Sequence, residues 1–113
     1  MLLDKALTKV VEYLETDISE GILGTSNTIA SPTDTSLSSP DNSTDTSTVD
    51  TISINQLTIT FDKGSTVGIG TTYKEIGIKN STDEYYTRFV IPSIVGSSTE
   101  EWTFKTRINV QRL

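Results

Sequence analysis

The chain has 113 residues, a formal net charge of −6 and a sequence-based isoelectric point of about 4.4. It contains neither cysteine nor histidine, which excludes disulfide stabilisation, the usual zinc sites and histidine-based catalytic triads. The hydrophobic fraction of 34% is below the globular average, and serine, threonine, asparagine and glycine make up the difference, as is typical of a β-protein with polar loops. The length fits a single domain spanning residues 1–113.

The charges are unevenly distributed along the chain. No basic residue lies between Lys9 and Lys63, an interval that is rich in aspartate and glutamate. The second half is mildly basic through Lys74, Lys79, Arg88, Lys105, Arg107 and Arg112. An acidic half would repel a phosphate backbone, so nucleic-acid binding is not expected. Complementary halves could pair within or between subunits, although ordinary solubility is the simpler interpretation.

Residues 2–16 are predicted to form a helix. One apolar stripe at helical spacing consists of Leu3, Leu7, Val10, Val11 and Leu14. A helix this short depends on packing, so we expect its stripe to cover the sheet or to meet a neighbouring copy. No stretch of the sequence approaches the roughly 20 apolar residues that a membrane span needs, so no membrane association is expected.

The composition changes sharply after a short apolar passage at 18–24, which could be a first strand. Residues 25–51 are dominated by serine, threonine, aspartate, asparagine and proline, which predicts a long Ser/Thr-rich polar loop. Loops of this length in small domains tend to be functional. Ile29 and Leu37 are the apolar residues expected to pin the loop or to contact a partner.

Residues 52–111 are predicted to form antiparallel strands. A change of phase at Asn55-Gln56 indicates a bulge or a strand break. The clearest alternation lies near the carboxyl end, where one face carries Trp102, Phe104, Thr106, Ile108 and Val110. Short strands separated by turns about every ten residues predict a mainly-β antiparallel sandwich or barrel with one N-terminal α-helix.

Nothing in the sequence is typical of a catalytic or metal site. Asp83 and Glu84 are adjacent on the chain, so their carboxylates diverge instead of facing one substrate. Three acidic loop residues whose spacing matches no EF-hand are Asp41, Asp45 and Asp50. We therefore expect a non-enzymatic protein with no catalytic residue, metal or cofactor, and a hydrolase using Glu or Asp is the least favoured alternative.

The aromatic residues suggest an alternative function. Strand parity favours core packing for Tyr85 and Trp102. Tyr73 and Tyr86 remain as candidates for recognition, because tyrosine rings could stack on sugars. A carbohydrate-binding or adhesion module is therefore one alternative to a purely structural role.

Four short sequence motifs occur in the same order as in a known family. They are LGTSNTIASPTDTSL at 23–37, EIGI at 75–78, YTRF at 86–89 and WTF at 102–104. Together with the N-terminal helix, this order resembles small structural proteins of tailed bacteriophages and archaeal tailed viruses. Ser26 and Tyr86 depart from the family pattern, which usually has glycine and an aliphatic residue at these positions.

The resemblance implies a virion structural protein, in the tail, fibre-attachment or baseplate apparatus, that assembles as a symmetric homo-oligomer with other virion proteins as partners. A capsid-surface decoration protein is an alternative. The protein would reside in the virion, at the tail or capsid surface, and in the host cytoplasm before assembly. The residues expected to form the assembly interface are Leu3, Leu7, Val11, Leu14, Ile29 and Leu37.

Overall fold

The computed structural model describes Met1 and residues 3–111. Within these residues, two antiparallel sheets pack face to face as a sandwich preceded by one helix, which confirms the predicted fold class. The elements are α1 (Asp4–Asp17), β1 (Glu20–Gly24), β2 (Pro40–Ser47), β3 (Val49–Ile52), β4 (Gln56–Lys63), β5 (Thr72–Lys79), β6 (Tyr85–Val95) and β7 (Trp102–Asn109).

The strand order leaves each sheet with two edges. The first sheet has the order β2-β1-β5-β6, and the second has the order β3-β4-β7. Only Thr48 separates β2 from β3, so the chain passes from one sheet to the other at a single edge of the sandwich. β6 and β7 form the opposite edge, where side chains of both strands line one groove.

The core lies between the two sheets and is closed at one end by the helix. Its buried members are Val11, Ile18, Leu23, Leu57, Ile59, Phe61, Tyr73, Ile76 and Ile78. The ring of Phe61 stacks on that of Phe104 with centroids 5.1 Å apart. A Cβ atom on Gly21 would lie 2.2 Å from the Phe61 ring, so the glycine allows the ring to reach the backbone of β1.

The alternation predicted for β7 is confirmed. Its four core-facing side chains, those of Trp102, Phe104, Thr106 and Ile108, are half-buried, and the residues between them are exposed. Trp102 packs edge-on against both Tyr73 and Phe104, with centroid distances of 6.2 Å in each case. The terminal strand therefore supplies one wall of the core, although none of its core-facing side chains is fully buried.

The predicted helix is present and is held by packing within the chain. Leu7 and Val11 are buried, and Leu14 packs partly buried against the core. Leu3 and Val10 are exposed, so only part of the predicted stripe faces the protein interior. The helix was predicted from residue 2, which lies outside the described residues.

The prediction of one polar loop over residues 25–51 is wrong in its second half, because residues 40–47 and 49–52 form β2 and β3. β2 is an edge strand, so backbone pairing with β1 can hold it without an apolar face. Thr44 supplies the one buried side chain, and its Oγ1 accepts the Leu23 N–H at 2.8 Å where the ladder is interrupted. Within the predicted loop, residues 25–39 and Thr48 lack helix and strand.

Candidate functional site

Residues 25–39, which we call the strap, lie on the outer face of the first sheet. Ile76 and Ile78 of β5 face the core, so Glu75 and Gly77 face outward. Buried Leu37 of the strap lies over Gly77, where a Cβ atom would be 2.9 Å from Leu37 Cδ2. The strap therefore covers an outer face that would otherwise be exposed, and this explains why β5 is buried on both sides.

Both ends of the strap are held by the carboxylate of Glu75, which is 0% exposed. The backbone N–H groups of Ser26, Ser38 and Ser39 donate to Glu75 at 3.1, 3.0 and 2.9 Å. Arg88 Nε donates to the same carboxylate at 3.0 Å. The buried Glu75 side chain thus joins the two ends of the strap, and both of its carboxylate oxygens accept hydrogen bonds.

The middle of the strap is held by Arg88, whose side chain is 5% exposed. Its Nη1 donates to Asp34 Oδ2 at 3.1 Å, and its Nη2 donates to the Thr28 carbonyl at 2.6 Å. Asp34 Oδ2 also accepts the Ser31 N–H at 2.9 Å. The pair formed by Glu75 and Arg88 therefore fixes the strap at its ends and at its centre.

The environment of Glu75 favours its charged form. Burial by itself raises the pKa of this carboxyl, but the three backbone N–H groups and Arg88 more than offset it. The net pKa of Glu75 is therefore below its ordinary value.

This lowered pKa predicts acid sensitivity. A carboxyl whose folded-state pKa is depressed adds stability above the unfolded-state pKa, about 4.3 for glutamate, and that stability is lost as the pH falls through the folded-state pKa. Urea unfolding at pH 7, 5, 4 and 3 should show a falling free energy of unfolding below about pH 4.3. Glu75→Gln should flatten this acid limb, leaving a residual slope from Asp17 and Asp41, whose pKa values are also lowered. An identical acid slope in the variant would contradict the assignment.

A cleft of about 410 Å³ lies between the strap and the start of β6. Its walls include Ser31, Asp34 and Ser36 from the strap and Tyr85, Tyr86 and Arg88 from β6. The walls are mostly polar, with two tyrosines side by side in the sequence. The cleft includes Tyr86, which the sequence analysis gave as a candidate for recognition.

A register shift in β6 brings both tyrosines to the cleft. Ile78 pairs with Thr87 but Lys79 pairs with Tyr85, so Tyr86 is the extra residue of a β-bulge. Tyr85 consequently faces outward, where a Cβ atom on Gly77 would be 2.8 Å from its ring. The expected core position of Tyr85 is therefore wrong, because the bulge interrupts the two-residue alternation on which it was based.

The two recognition candidates differ in accessibility. Tyr86 is 38% exposed, and its hydroxyl donates to Asp17 Oδ2 at the end of α1, a bond that raises the pKa of Tyr86 to about 12. Tyr73 is fully buried, and its hydroxyl donates to Asp41 Oδ2 at 2.7 Å. Burial raises the pKa of Tyr73 to about 12. Tyr86 is therefore accessible from solvent, and Tyr73 is not.

The residues expected to form an assembly interface are dispersed. Leu7, Val11 and Leu37 are buried in the chain, and Leu14 is partly buried. Leu3 and Ile29 are exposed at 70% and 87%. Contact with another subunit through the buried members would require them to leave their positions in this fold.

The three acidic residues whose spacing matches no EF-hand do not lie together in the fold. Asp45 lies with Glu20 and Asp83, their carboxylate oxygens within 4.8 Å of one another, whereas Asp41 and Asp50 lie elsewhere. Buried Lys79 Nζ lies among the three carboxylates, 2.7 Å from Asp45 and 3.2 Å from Glu20. Burial opposes the charge of Lys79, but the carboxylates raise its pKa overall. The ammonium group thus takes the place that a metal ion would need.

The edge formed by β6 and β7, which we call the basic edge, is open. A groove between these strands is lined by Ile76, Phe89, Ile91, Lys105, Thr106 and Arg107. Phe89 is 44% exposed, and exposed Lys105 and Arg107 make the rim of the groove positive. β7 has no proline, glycine or register interruption, whereas β6 contains Pro92 and a bulge. β7 is therefore the regular unpaired edge of the second sheet.

The edge formed by β2 and β3, which we call the acidic edge, has the opposite charge. Neither strand contains a basic residue, and Asp50 lies at the centre of β3. Burial raises the pKa of the Asp50 carboxyl, and its Oδ1 has no hydrogen-bond partner among the described residues. Val49 and Ile52 of β3 are exposed. One edge of the sandwich is thus basic and the other has no basic residue in its strands, and each exposes apolar side chains.

Within the described part of the chain, no helix has the length and apolar character to cross a membrane. Comparison with known proteins finds no matching family model, no matching curated protein and no matching solved structure.

Proposed function

We propose that the chain is a non-enzymatic structural protein of a tailed-virus particle, located in the tail, fibre-attachment or baseplate apparatus, that self-assembles through its two sheet edges. The observation that carries the assembly proposal is the regular, unpaired β7 beside a groove with exposed Phe89. The viral assignment rests on the order of sequence motifs at 23–37, 75–78, 86–89 and 102–104.

An unpaired edge strand presents a row of free backbone N–H and C=O groups that can pair with a strand of another chain. Phe104 and Ile108 of β7 are only half-buried, so a neighbouring strand would bury more of their apolar surface. Lys105 and Arg107 would repel the same residues of a second β7. These charges therefore disfavour pairing of two basic edges and favour a partner strand that lacks basic residues.

The acidic edge of a second copy fits this requirement. β3 has no basic residue and exposes Val49 and Ile52, and pairing it with β7 would join the second sheets of two subunits into one. Because two different surfaces meet, the contact is heterologous and generates a ring if the rotation closes. A ring of this kind is a symmetric oligomer such as a tail component requires.

The assembly proposal predicts an effect of charge on oligomeric state. Native mass spectrometry and light scattering should find an oligomer that Lys105→Glu/Arg107→Glu converts to a monomer. Val49→Lys/Thr51→Lys on the acidic edge should have the same effect. Mixing the two variants should restore an alternating oligomer, because the introduced glutamates meet the introduced lysines at one contact and the native edges meet at the other.

The matched control is Lys5→Glu/Lys9→Glu on α1, which makes the same change in net charge and should leave the oligomer intact. A native chain that stays monomeric at low salt, or an oligomer that survives both edge variants, would overturn the assembly proposal. The viral assignment is tested separately by the genes that flank the coding sequence. Neighbouring tail genes support it, neighbouring major-capsid genes indicate a decoration protein, and neighbours without virion genes contradict it.

A further inference from the structure

We infer that the cleft between the strap and β6 binds a neutral carbohydrate, with the Tyr86 ring stacked on one sugar and Asp34 and Arg88 bonded to its hydroxyl groups. The inference is independent of self-assembly, because the cleft lies on the outer face of the first sheet and the proposed contact uses β3 and β7. The cleft volume of about 410 Å³ lies within the usual range of small-molecule sites.

The aromatic wall of the cleft is rigid before any ligand arrives. Tyr86 is 38% exposed as a residue, and its hydroxyl is bonded to Asp17 of α1. Tyr85 is held next to Gly77, and its ring lies 6.0 Å from the Lys79 ammonium. Tyrosine has few rotatable bonds and combines an apolar ring with a polar tip, so a fixed tyrosine binds the apolar face of a sugar with little loss of entropy.

The polar wall offers a donor beside an acceptor. Arginine has five N–H groups, and Arg88 uses one on Nε, one on Nη1 and one on Nη2 within the fold, which leaves a further N–H on each Nη. Asp34 makes both of its bonds through Oδ2, so Oδ1 can accept. Adjacent fixed donors and acceptors match the neighbouring hydroxyl groups of a sugar, which both donate and accept.

The surrounding charge selects against anionic ligands. Arg88 is the one cationic residue among the residues that line the cleft, and it is already paired with Glu75 and Asp34. Asp17 and Glu84 lie close enough to Tyr86 to raise its pKa. A phosphorylated or sialylated ligand would meet uncompensated negative charge, whereas a neutral sugar would not.

The test uses the whole chain on an array of neutral and sialylated oligosaccharides, followed by titration of ¹⁵N-labelled protein with the strongest neutral ligand. Binding to neutral members is expected, with amide shifts at Ser31, Asp34 and Tyr86. Tyr86→Ala should weaken binding by at least about tenfold, which corresponds to ~1.4 kcal/mol. Tyr86→Phe keeps the ring and should retain more of the affinity than Tyr86→Ala. Ile69 is an exposed apolar residue away from the cleft, so the Ile69→Ala variant should bind the ligand like the native chain.

Absence of any neutral ligand on the array, binding to sialylated members alone, or amide shifts confined to other surfaces would overturn the inference. Unchanged affinity in a folded Tyr86→Ala variant would also overturn the inference. If Tyr86→Ala does not fold, the positions of the amide shifts in the native chain decide whether the ligand binds in the cleft. Lys105→Glu/Arg107→Glu should bind the same sugars, so failure of the assembly proposal and failure of this one are distinguishable.

Discussion

Glu75→Leu is expected to destabilise the fold by about 3–5 kcal/mol, the usual cost of removing one partner from a buried ion pair. The carboxylate is fully buried, so solvent does not screen its interactions. Its loss leaves the Arg88 side chain without its main counter-charge and the N–H groups of Ser26, Ser38 and Ser39 without an acceptor. Because these bonds close the strap, the segment should detach from the first sheet.

Urea unfolding measures the loss of stability, and amide hydrogen exchange at Ser26, Ser38 and Ser39 measures the release of the strap. Glu75→Gln keeps an acceptor oxygen, so its stability and its amide exchange should lie between those of the native chain and those of Glu75→Leu. Glu101→Leu at an exposed position is the matched control and should change stability by less than about 0.5 kcal/mol. Unchanged exchange at the three serines of the strap in Glu75→Leu would show that other contacts hold it.

Phe61→Ala should cost about 3–5 kcal/mol of stability, as for other large-to-small changes at buried aromatic residues. The ring is almost fully buried between the sheets, stacks on Phe104 and contacts the backbone at Gly21. The surrounding strands are paired on both sides of β4, so they cannot collapse fully into the cavity. Thermal or urea unfolding of the variant measures the effect.

Gly21→Ala isolates the contact between Phe61 and β1. In the native chain the new Cβ would meet the Phe61 ring at 2.2 Å, so we expect about 1–3 kcal/mol of destabilisation from overpacking. In the Phe61→Ala background the same change should cost much less, because the obstructing ring is gone. Gly64→Ala is the control, since a Cβ there meets nothing within 4 Å. Additive effects of Gly21→Ala and Phe61→Ala would contradict the proposed contact.

The elements predicted most accurately are those whose signal is local. β7 alternates strictly, so the partition of apolar and polar side chains between its two faces follows from the strand geometry alone. The helix was recognised in the same way, and its Leu7 and Val11 are buried as a helical stripe requires. Neither prediction needed knowledge of a distant residue.

β2 and β3 were missed because their stability comes from distant partners. Their sequences are polar enough to read as a loop, and β2 is held by pairing with β1 and by the single buried hydroxyl of Thr44. The strap site was missed for a related reason, since Glu75 and the serines it binds are far apart in the sequence. The sequence offered only a weak indication of the strap site. A polar segment that contains Leu37 precedes a strand whose outer face is charged.

The sequence by itself determined a mainly-β antiparallel fold with one N-terminal helix, because the periodicity of apolar residues can be read from consecutive positions. Only the tertiary structure decided that Glu75 and Arg88 clamp the strap, that a bulge turns Tyr85 outward, and that β7 is left as an open basic edge. Each of these features depends on which distant segments pair. The residue pattern of a single segment contains little information about the segment that it pairs with.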